Sequence, residues 1–337
     1  MFESNKERPN RGITRRDFLW GIAGGVAIGS GIQYFFRRTA IPDADVFIVK
    51  AAEYGLDLRS LIARGLHELG VTPQEIRGKR ILLKPNLVEG SSGHEHINTH
   101  PLVIRGVVEA FLSLGAATVV IGEGPANDRD TLMTLEETGL ADVLFEDRIP
   151  FIDLNHDNLY SVSNQTGFNA QKTLTFPSTL KNVDWIVSLA KMKTHHWAGV
   201  TLSMKNLFGV MPGIAYGWPK NLLHLGGIDR SIIDINATLK PHFAIVDGIT
   251  GMQGDGPIMG DPIHSGVLVM GRNLPAVDAT CCRVMGIDPN RIPYLKVAES
   301  ILGPIQAQRI KQRGEVIADV ATRFALRSDI PSLKKLM

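Results

Sequence analysis

The chain has 337 residues, of which 44% are hydrophobic and 21% charged, as expected for a globular protein with a sizeable core. Its formal net charge is +2, and the first forty residues hold seven Lys/Arg against three Asp/Glu. The remaining residues are therefore close to neutral. This balance argues against a nucleic-acid-binding protein, because a nucleic-acid surface needs a basic stripe.

The first forty residues predict an export signal. A twin-arginine pair, Arg15 and Arg16, precedes a largely apolar run at 18–36, a pattern typical of substrates of the twin-arginine (Tat) export machinery. The alternative is an N-terminal membrane anchor, because a run of this length can just span a bilayer. Either would place the protein in the periplasm or on the outer face of the cytoplasmic membrane. Cleavage of the signal is left open.

From residue 45 onward, strand-like and helix-like segments alternate. The strands are predicted at 46–49, 80–83, 118–121, 185–190, 242–246 and 267–270. Helices are predicted to begin at the caps Asp57 and Thr99, to cover about 228–239, and to run from Pro275 to Met285. This order predicts an α/β fold with a doubly wound, mostly parallel sheet. The polar region 125–182 leaves open a division into two lobes with a cleft, and residues 304–337 are predicted to form a peripheral tail.

The only two cysteines are the neighbours Cys281 and Cys282. They lie in the predicted helix after Pro275, where buried thiols are expected, because adjacent cysteines cannot form an unstrained disulfide. The chain has no C-x-x-C cluster, so no iron–sulfur centre is expected.

The segment 191–213, KMKTHHWAGVTLSMKNLFGVMPG, has the highest density of chemically active side chains. It directly follows the predicted strand 185–190 and holds Lys191, Lys193, His195, His196 and Lys205. Ionisable groups beside an apolar core are costly unless they have a partner, and open α/β sheets bind ligands at the carboxyl ends of their strands. The segment is therefore predicted to be the centre of a binding site. The alternatives are a pair of hydrogen-bonded structural histidines and a solvated lysine rim.

Further polar residues follow other predicted strands and are expected to converge on the same edge of the sheet. We predict that His195, His196 and Lys205 are catalytic, with the imidazoles moving protons while the lysine holds an anion. The predicted substrate-binding residues are Lys84, Asn86, Glu123, Lys191, Lys193 and Asn206.

Asp247 is a candidate metal ligand, and with Asp255 and Asp261 it could hold magnesium. His94 and His96 form a weaker His-x-His candidate, for which a solvated loop is the competing interpretation.

Several segments resemble the domain of unknown function 362 family. They are KPNLV at 84–88, T-x-P at 99–101, IGEGPA at 121–126, the block KMKTHHWAGVTLSMKNLFG at 191–209, the Leu-His pair at 223–224, AIVDGITGMQGDGP at 244–257 and PAVDATCCRVMGIDP at 275–289. The resemblance implies that residues 41–303 form the family's domain. Some members carry added ferredoxin-type cysteine clusters, which this chain lacks.

A second, local resemblance is to the lactate racemase family, from His195 through Lys205 to Pro212-Gly213. That family binds a nickel pincer nucleotide through a lysine and histidines. The resemblance implies that His195 and Lys205 match the histidine and the lysine, and His224 matches a second histidine by position. The chain departs from the family at 201–203, where Thr-Leu-Ser replaces Ser-Gly-Gly. His195, His224 and Asp247 are therefore the predicted metal ligands, and a divalent metal or a nickel-type nucleotide is the predicted cofactor.

Together these features predict an exported, metal- or cofactor-dependent enzyme acting on a small anionic substrate, either a hydroxy acid or a phosphate ester. A non-enzymatic envelope protein that binds an anion is the main alternative, because it needs the lysines but no proton transfer. A membrane-tethered maturation factor with an exposed apolar patch at 206–225 is a further alternative.

Overall fold

The computed structural model describes residues 43–90, 93–126 and 130–337. A mixed sheet of nine strands lies at the centre of this part of the chain. The predicted export signal lies outside these residues. The sheet strands are β1 (Ala44–Lys50), β2 (Arg80–Pro85), β3 (Thr118–Glu123), β4 (Phe151–Asp153), β7 (Trp185–His195), β8 (Gly199–Thr201), β9 (Phe243–Gln253), β10 (Asp261–Gly271) and β11 (Ile310–Gly314). Strands β5 (Leu159–Ser163) and β6 (Thr173–Pro177) form a separate two-stranded sheet.

The helices are distributed along the whole chain. They are α1 (Leu58–Glu68), α2 (Pro73–Ile76), α3 (Pro101–Ser113), α4 (Thr131–Glu137), α5 (Leu140–Glu146), α6 (Ser203–Asn206), α7 (Gly213–Tyr216), α8 (Asn221–Leu225), α9 (Ile228–Leu239), α10 (Leu274–Val284), α11 (Pro293–Ala298), α12 (Ile317–Val320) and α13 (Pro331–Lys334). Short 3₁₀ turns cover Ser178–Lys181, Leu207–Val210, Pro289–Arg291 and Ala307–Arg309.

The strand order is β11-β1-β10-β9-β7-β2-β3-β4, with β8 paired to β7. Five pairings are parallel, β11–β1, β9–β7, β7–β2, β2–β3 and β3–β4, and three are antiparallel, β1–β10, β10–β9 and β7–β8. The prediction of a mostly parallel α/β sheet is therefore confirmed. The parallel block β9-β7-β2-β3 places the carboxyl ends of four strands side by side.

Helices cover both faces of the sheet, because side chains alternate across each strand. On one face, Ile81, Leu83, Val187 and Leu189 pack with α1, α3 and α5. On the other face, Leu82 and Ile186 pack with α9 and α10. This three-layer arrangement explains the nearly continuous apolar runs of the central strands, which are buried on both sides.

The helix boundaries agree closely with the sequence. Asp57 caps α1 by accepting a 3.0 Å hydrogen bond from the Ser60 amide, and α9 begins and ends where the periodicity predicts. The predicted cap Thr99 is wrong by one residue, because His100 caps α3. The Thr99 hydroxyl instead donates to the Leu189 carbonyl at 2.9 Å and accepts from the Asn86 amide at 2.9 Å, so it joins β7 to the loop after β2.

Three expectations are corrected. Residues 304–337 are not a peripheral tail, because β11 pairs with β1 and the side chains of Phe324, Leu333 and Leu336 are buried in the core. A second lobe is not observed, since residues 43–337 cluster as one unit. Strands β7 and β9 are each eleven residues long, because β7 gains β8 as a partner and β9 pairs along its length with β10.

Cys281 and Cys282 are buried, free thiols in α10, as predicted. Within the three described stretches of the chain, no helix combines the length and apolar character that crossing a membrane would require.

Candidate functional site

A cavity of about 390 Å³ opens at the carboxyl ends of β2, β3 and β7. Its polar lining consists of Lys84, Asn86, Glu89, Glu123, His195, His196, Thr201, Lys205, Asn206, Lys220, His224 and Asp255. Its apolar lining includes Leu87, Val88, Ala126, Trp197, Phe208, Pro219, Pro257, Ile258 and Met259. The predicted convergence of strand-end residues is thus observed for Lys84, Glu123 and His195.

Lys84 and Glu123 form a buried ion pair in the cavity wall, with 2.6 Å between Nζ and Oε2. The Glu123 carboxylate also accepts hydrogen bonds from the amides of Leu87 at 3.1 Å and Gly124 at 2.9 Å. Burial lowers the pKa of Lys84 and raises the pKa of Glu123, while their mutual attraction opposes both shifts. The pair therefore neutralises one of the cavity lysines.

Asn206 ties this pair to the neighbouring strand. Its Oδ1 accepts a 2.9 Å hydrogen bond from Lys84 Nζ, and its Nδ2 donates to the Lys84 carbonyl at 2.9 Å and to Ser188 Oγ at 3.1 Å. The nearby Asn86 Oδ1 is buried without a hydrogen-bond partner among the described residues. A buried acceptor of this kind is costly, so Asn86 Oδ1 is available to a donor on a ligand.

Two further lysines in the cavity have no carboxylate partner among the described residues. Lys205 is partly buried and lies over the Phe208 ring, with Nζ 4.2 Å from the ring centroid. Lys220 is 1% exposed, and its Nζ donates to Asn155 Oδ1. The pKa of each lysine is lowered to about 7, mainly by burial and in part by the positive charge of Lys84, while Glu123 opposes the shift. An anion between them would supply the missing negative charge.

Two of the three cavity histidines, His195 and His224, have opposite hydrogen-bonding roles. His195 Nδ1 accepts from the amides of Trp197 at 3.0 Å and Ala198 at 3.3 Å, so in its neutral form the proton is on Nε2. His224 Nδ1 lies 3.1 Å from the Lys220 carbonyl, which can only accept, so in the neutral form of His224 the proton is on Nδ1 and Nε2 is unprotonated. Burial and Lys205 lower the pKa of both imidazoles, that of His195 well below its usual range. The neutral His195 ring can therefore donate a hydrogen bond to a ligand, while the His224 ring can accept a proton.

His196 lies at a more exposed position on the cavity wall. Its Nδ1 is 3.5 Å from Asp255 Oδ1, which attaches the β7 end to the loop after β9. Trp197 packs against both His196 and His224, with ring centroids 4.7 and 5.3 Å apart.

Lys191, Lys193 and Asp247 do not line the cavity, although sequence analysis placed them in the site. Lys191 and Asp247 are register partners inside the sheet, where Lys191 Nζ is 2.9 Å from Asp247 Oδ2 and 2.8 Å from the Tyr54 hydroxyl. Lys193 Nζ donates to the carbonyls of Ile97 at 2.8 Å and Pro257 at 3.1 Å. These side chains hold the strand ends and the covering loops together.

The predicted metal site is corrected in the same way. Asp247 is engaged by Lys191 and Tyr54, so it does not join His195 and His224. Across residues 43–90, 93–126 and 130–337, no group of three or more His, Cys, Asp or Glu side chains is arranged to hold a metal. His195 and His224 lie near the ammonium group of Lys205, whose positive charge lowers the pKa of both imidazoles and disfavours a bare cation between them.

Sequence reasoning missed three residues of the site. Lys220 follows Trp218-Pro219 in a loop without periodicity, and Asn155 lies in a polar region with no recognisable motif. Asn155 Oδ1 accepts from both Lys220 Nζ and the Gly213 amide.

Asp278 supports the cavity from outside its lining. Its buried carboxylate accepts hydrogen bonds from the amides of Ser203 at 2.8 Å and Met204 at 3.1 Å, at the start of α6, which carries Lys205. Burial raises the Asp278 pKa to about 7.

Residues 81–283, more than half of the chain, match the family described as domain of unknown function (DUF362). The chain belongs to this family.

One curated relative is the thylakoid-associated protein sll1697 of Synechocystis sp., with 27% identity over 237 residues that cover 68% of this chain and 71% of that protein. Among solved structures, the lactate racemase apoprotein of Thermoanaerobacterium thermosaccharolyticum is similar with a TM-score of 0.41 and 14% identity, over 61% of this chain and 50% of that one. A protein of Thermotoga maritima has a TM-score of 0.39 and 12% identity, over 69% of this chain and 59% of that one. The chain thus spans only about half the length of the lactate racemase, and these low scores carry no functional argument.

Replacing Gly209 should disturb the buried ion pair selectively. A methyl group on Gly209 would overlap Glu123 Oε1 and Lys84 Nζ. We expect Gly209→Ala to lower the free energy of unfolding by about 1–3 kcal/mol, as other overpacking substitutions do, measured by urea denaturation.

Gly55→Ala is the matched control, because the added methyl group would meet only Glu53 Oε1, at 4.0 Å. Equal stabilities of the two variants would contradict tight packing between the 207–210 turn and the ion pair.

Proposed function

We propose that the cavity binds a small organic anion, and that the protein is an enzyme that moves protons on this ligand. The observation that carries the proposal is the pair Lys205 and Lys220, two cationic side chains at one cavity without a carboxylate partner among the described residues. Carboxylates and phosphates are the anions that lysine ammonium groups bind. The substrate class is therefore a hydroxy acid or a phosphate ester.

The histidines support enzymatic chemistry over simple capture. Neutral His195 offers an Nε2 proton, and His224 offers an unprotonated Nε2. A proton acceptor and a hydrogen-bond donor beside an anion site are elements of general base catalysis, and proton transfer of this kind contributes roughly 10²–10⁴-fold to a rate. An anionic cofactor, such as a phosphorylated nucleotide, would fit the same lysines. A bare divalent metal fits poorly, for the reasons of ligand number and charge given above.

Binding should weaken as the pH rises. Lys205 and Lys220 have pKa values of about 7 in the free protein, and a bound anion raises them, so binding takes up protons above pH 7. We expect sulfate affinity to fall by up to about tenfold per lysine for each pH unit from 7 towards the pKa in the complex. Sulfate is the probe because its own charge is constant in this range, and calorimetry on the full chain measures its affinity.

Lys205→Met and Lys220→Met should each weaken sulfate binding and reduce this pH slope. Lys311→Met is the control, because Lys311 is an exposed lysine on the edge strand β11. A sulfate affinity that is the same at pH 7 and pH 9, or unchanged in both variants, would contradict the anion site.

Substitutions of the two histidines distinguish an enzyme from a protein that only binds an anion. We expect His195→Gln and His224→Gln to keep sulfate binding within a few fold but to lower turnover by at least about 100-fold. Turnover is followed as deuterium uptake from D₂O at the carbon beside the carboxylate of lactate, and as phosphate release from glycerol phosphate. His67→Gln, on the exposed surface of α1, is the control. Strong sulfate binding with neither reaction, even in the unaltered protein, would favour the envelope binding protein.

We also propose that the protein is exported through the Tat machinery and acts at the outer face of the cytoplasmic membrane or in the periplasm. Arg15 and Arg16 before the apolar run support this proposal, and the relative from Synechocystis is named for its association with a membrane. Replacing both arginines by lysine should leave the protein in the cytoplasm, as measured by cell fractionation. Unchanged distribution between the fractions would count against Tat export.

A further inference from the structure

The interior of the cavity holds buried lysines, and its mouth holds two exposed apolar side chains beside His196 and Asp255, whose side chains are 35% and 33% exposed. Lys84 and Lys220 are each 1% exposed, whereas Trp197 is 57% exposed and Met259 is 79% exposed, and all four side chains line the same cavity. This difference in burial places Lys220 and the Lys84–Glu123 ion pair at the floor of the cavity, and Trp197 and Met259 at an apolar part of its rim. Leu87, Phe208 and Ile258 add further apolar wall.

Trp197 occupies a defined position at this rim. Its ring packs edge-on against His196 and His224, with centroids 4.7 and 5.3 Å apart. It thus lies beside the two imidazoles with more than half of its surface open. Met259 is unbranched and flexible, a side chain that adapts to varied apolar ligands. An inorganic ion bound at the lysines would leave both side chains uncovered.

We propose that the ligand is an amphiphilic anion, in which a carboxylate or phosphate is held by Lys205 and Lys220 and a single alkyl chain or ring covers Trp197 and Met259. This inference rests on the anion site proposed above and adds the nature of the ligand's other end. A cavity of about 390 Å³ lies towards the lower end of the range for drug-sized ligands. The size favours a molecule with one chain over a two-chain membrane lipid.

The apolar rim makes a quantitative expectation possible. Each methylene group that moves from water to an apolar wall contributes about a fourfold gain in affinity. A series of straight-chain carboxylates has a constant charge at neutral pH, so only the apolar contact changes along the series. The affinity should therefore rise steadily with chain length until the chain outgrows the cavity.

The test is calorimetry of the full chain at pH 7 with acetate, butyrate, hexanoate and octanoate, the last below its micelle concentration. We expect the affinity to rise by up to about 16-fold per pair of methylenes in the unaltered protein. Trp197→Ala and Met259→Ala should flatten this rise, with a larger loss for octanoate than for acetate, whereas Lys205→Ala should weaken all four ligands by a similar factor. Met133→Ala is the matched control, because Met133 is 57% exposed on α4 and does not line the cavity.

The outcomes separate this inference from the function on which it rests. Acetate or sulfate binding without any chain-length dependence, or a dependence that survives both rim substitutions, would overturn the amphiphilic ligand and leave the anion site intact. If none of these anions binds, the proposed anion site is itself wrong. A membrane source is distinguished by vesicles of phosphatidylcholine with and without phosphatidylglycerol. If the protein binds the anionic vesicles but not octanoate, and Trp197→Ala and Met259→Ala weaken the vesicle binding, then the ligand is a bilayer surface and not a single-chain molecule.

Discussion

The structure depends on how the positive charges of the buried lysine ammonium groups at one edge of the sheet are neutralised. Four lysines, at 84, 191, 193 and 220, are at most 1% exposed, and Lys205 is partly buried beside them. Only two carboxylates, Glu123 and Asp247, form ion pairs with members of this set within the described residues. Because an unpaired buried charge is costly, the remaining lysines must be neutralised by a ligand, by carbonyl oxygens or by losing a proton.

The fold meets this constraint differently on the two sides of β7. Towards β9, Lys191 is paired with Asp247 and Tyr54, and Lys193 is held by two backbone carbonyls, so this side is closed. Towards β2 and β3, the Lys84–Glu123 pair forms part of a wall, and Lys205 and Lys220 face a cavity without carboxylate partners among the described residues. The same chemical type of residue is thus structural on one side of the strand and available to a ligand on the other.

The cavity also depends on elements that contribute no side chain to its lining. Asp278 of α10 holds the start of α6 and thereby places Lys205 and Asn206. Asn155, which follows β4, places Lys220 and the Gly213 backbone. Thr99 fastens the loop after β2 to β7. These supports come from parts of the chain up to about a hundred residues away from the groups they position.

The sequence by itself determined the family, the mostly parallel α/β sheet, the helices α1, α9 and α10, and the segment 191–213 as the centre of the site. Apolar runs and helical periodicity are local patterns, and the strand-end rule then brings Lys84, Glu123 and His195 to one edge. Only the tertiary structure decided that Lys191, Lys193 and Asp247 are internal partners and that Lys220 and Trp197 belong to the cavity. It also decided that the C-terminal segment contributes Phe324, Leu333 and Leu336 to the core. The pairing of a charged group and the exposure of a ring depend on neighbours distant in the chain, which no local pattern records.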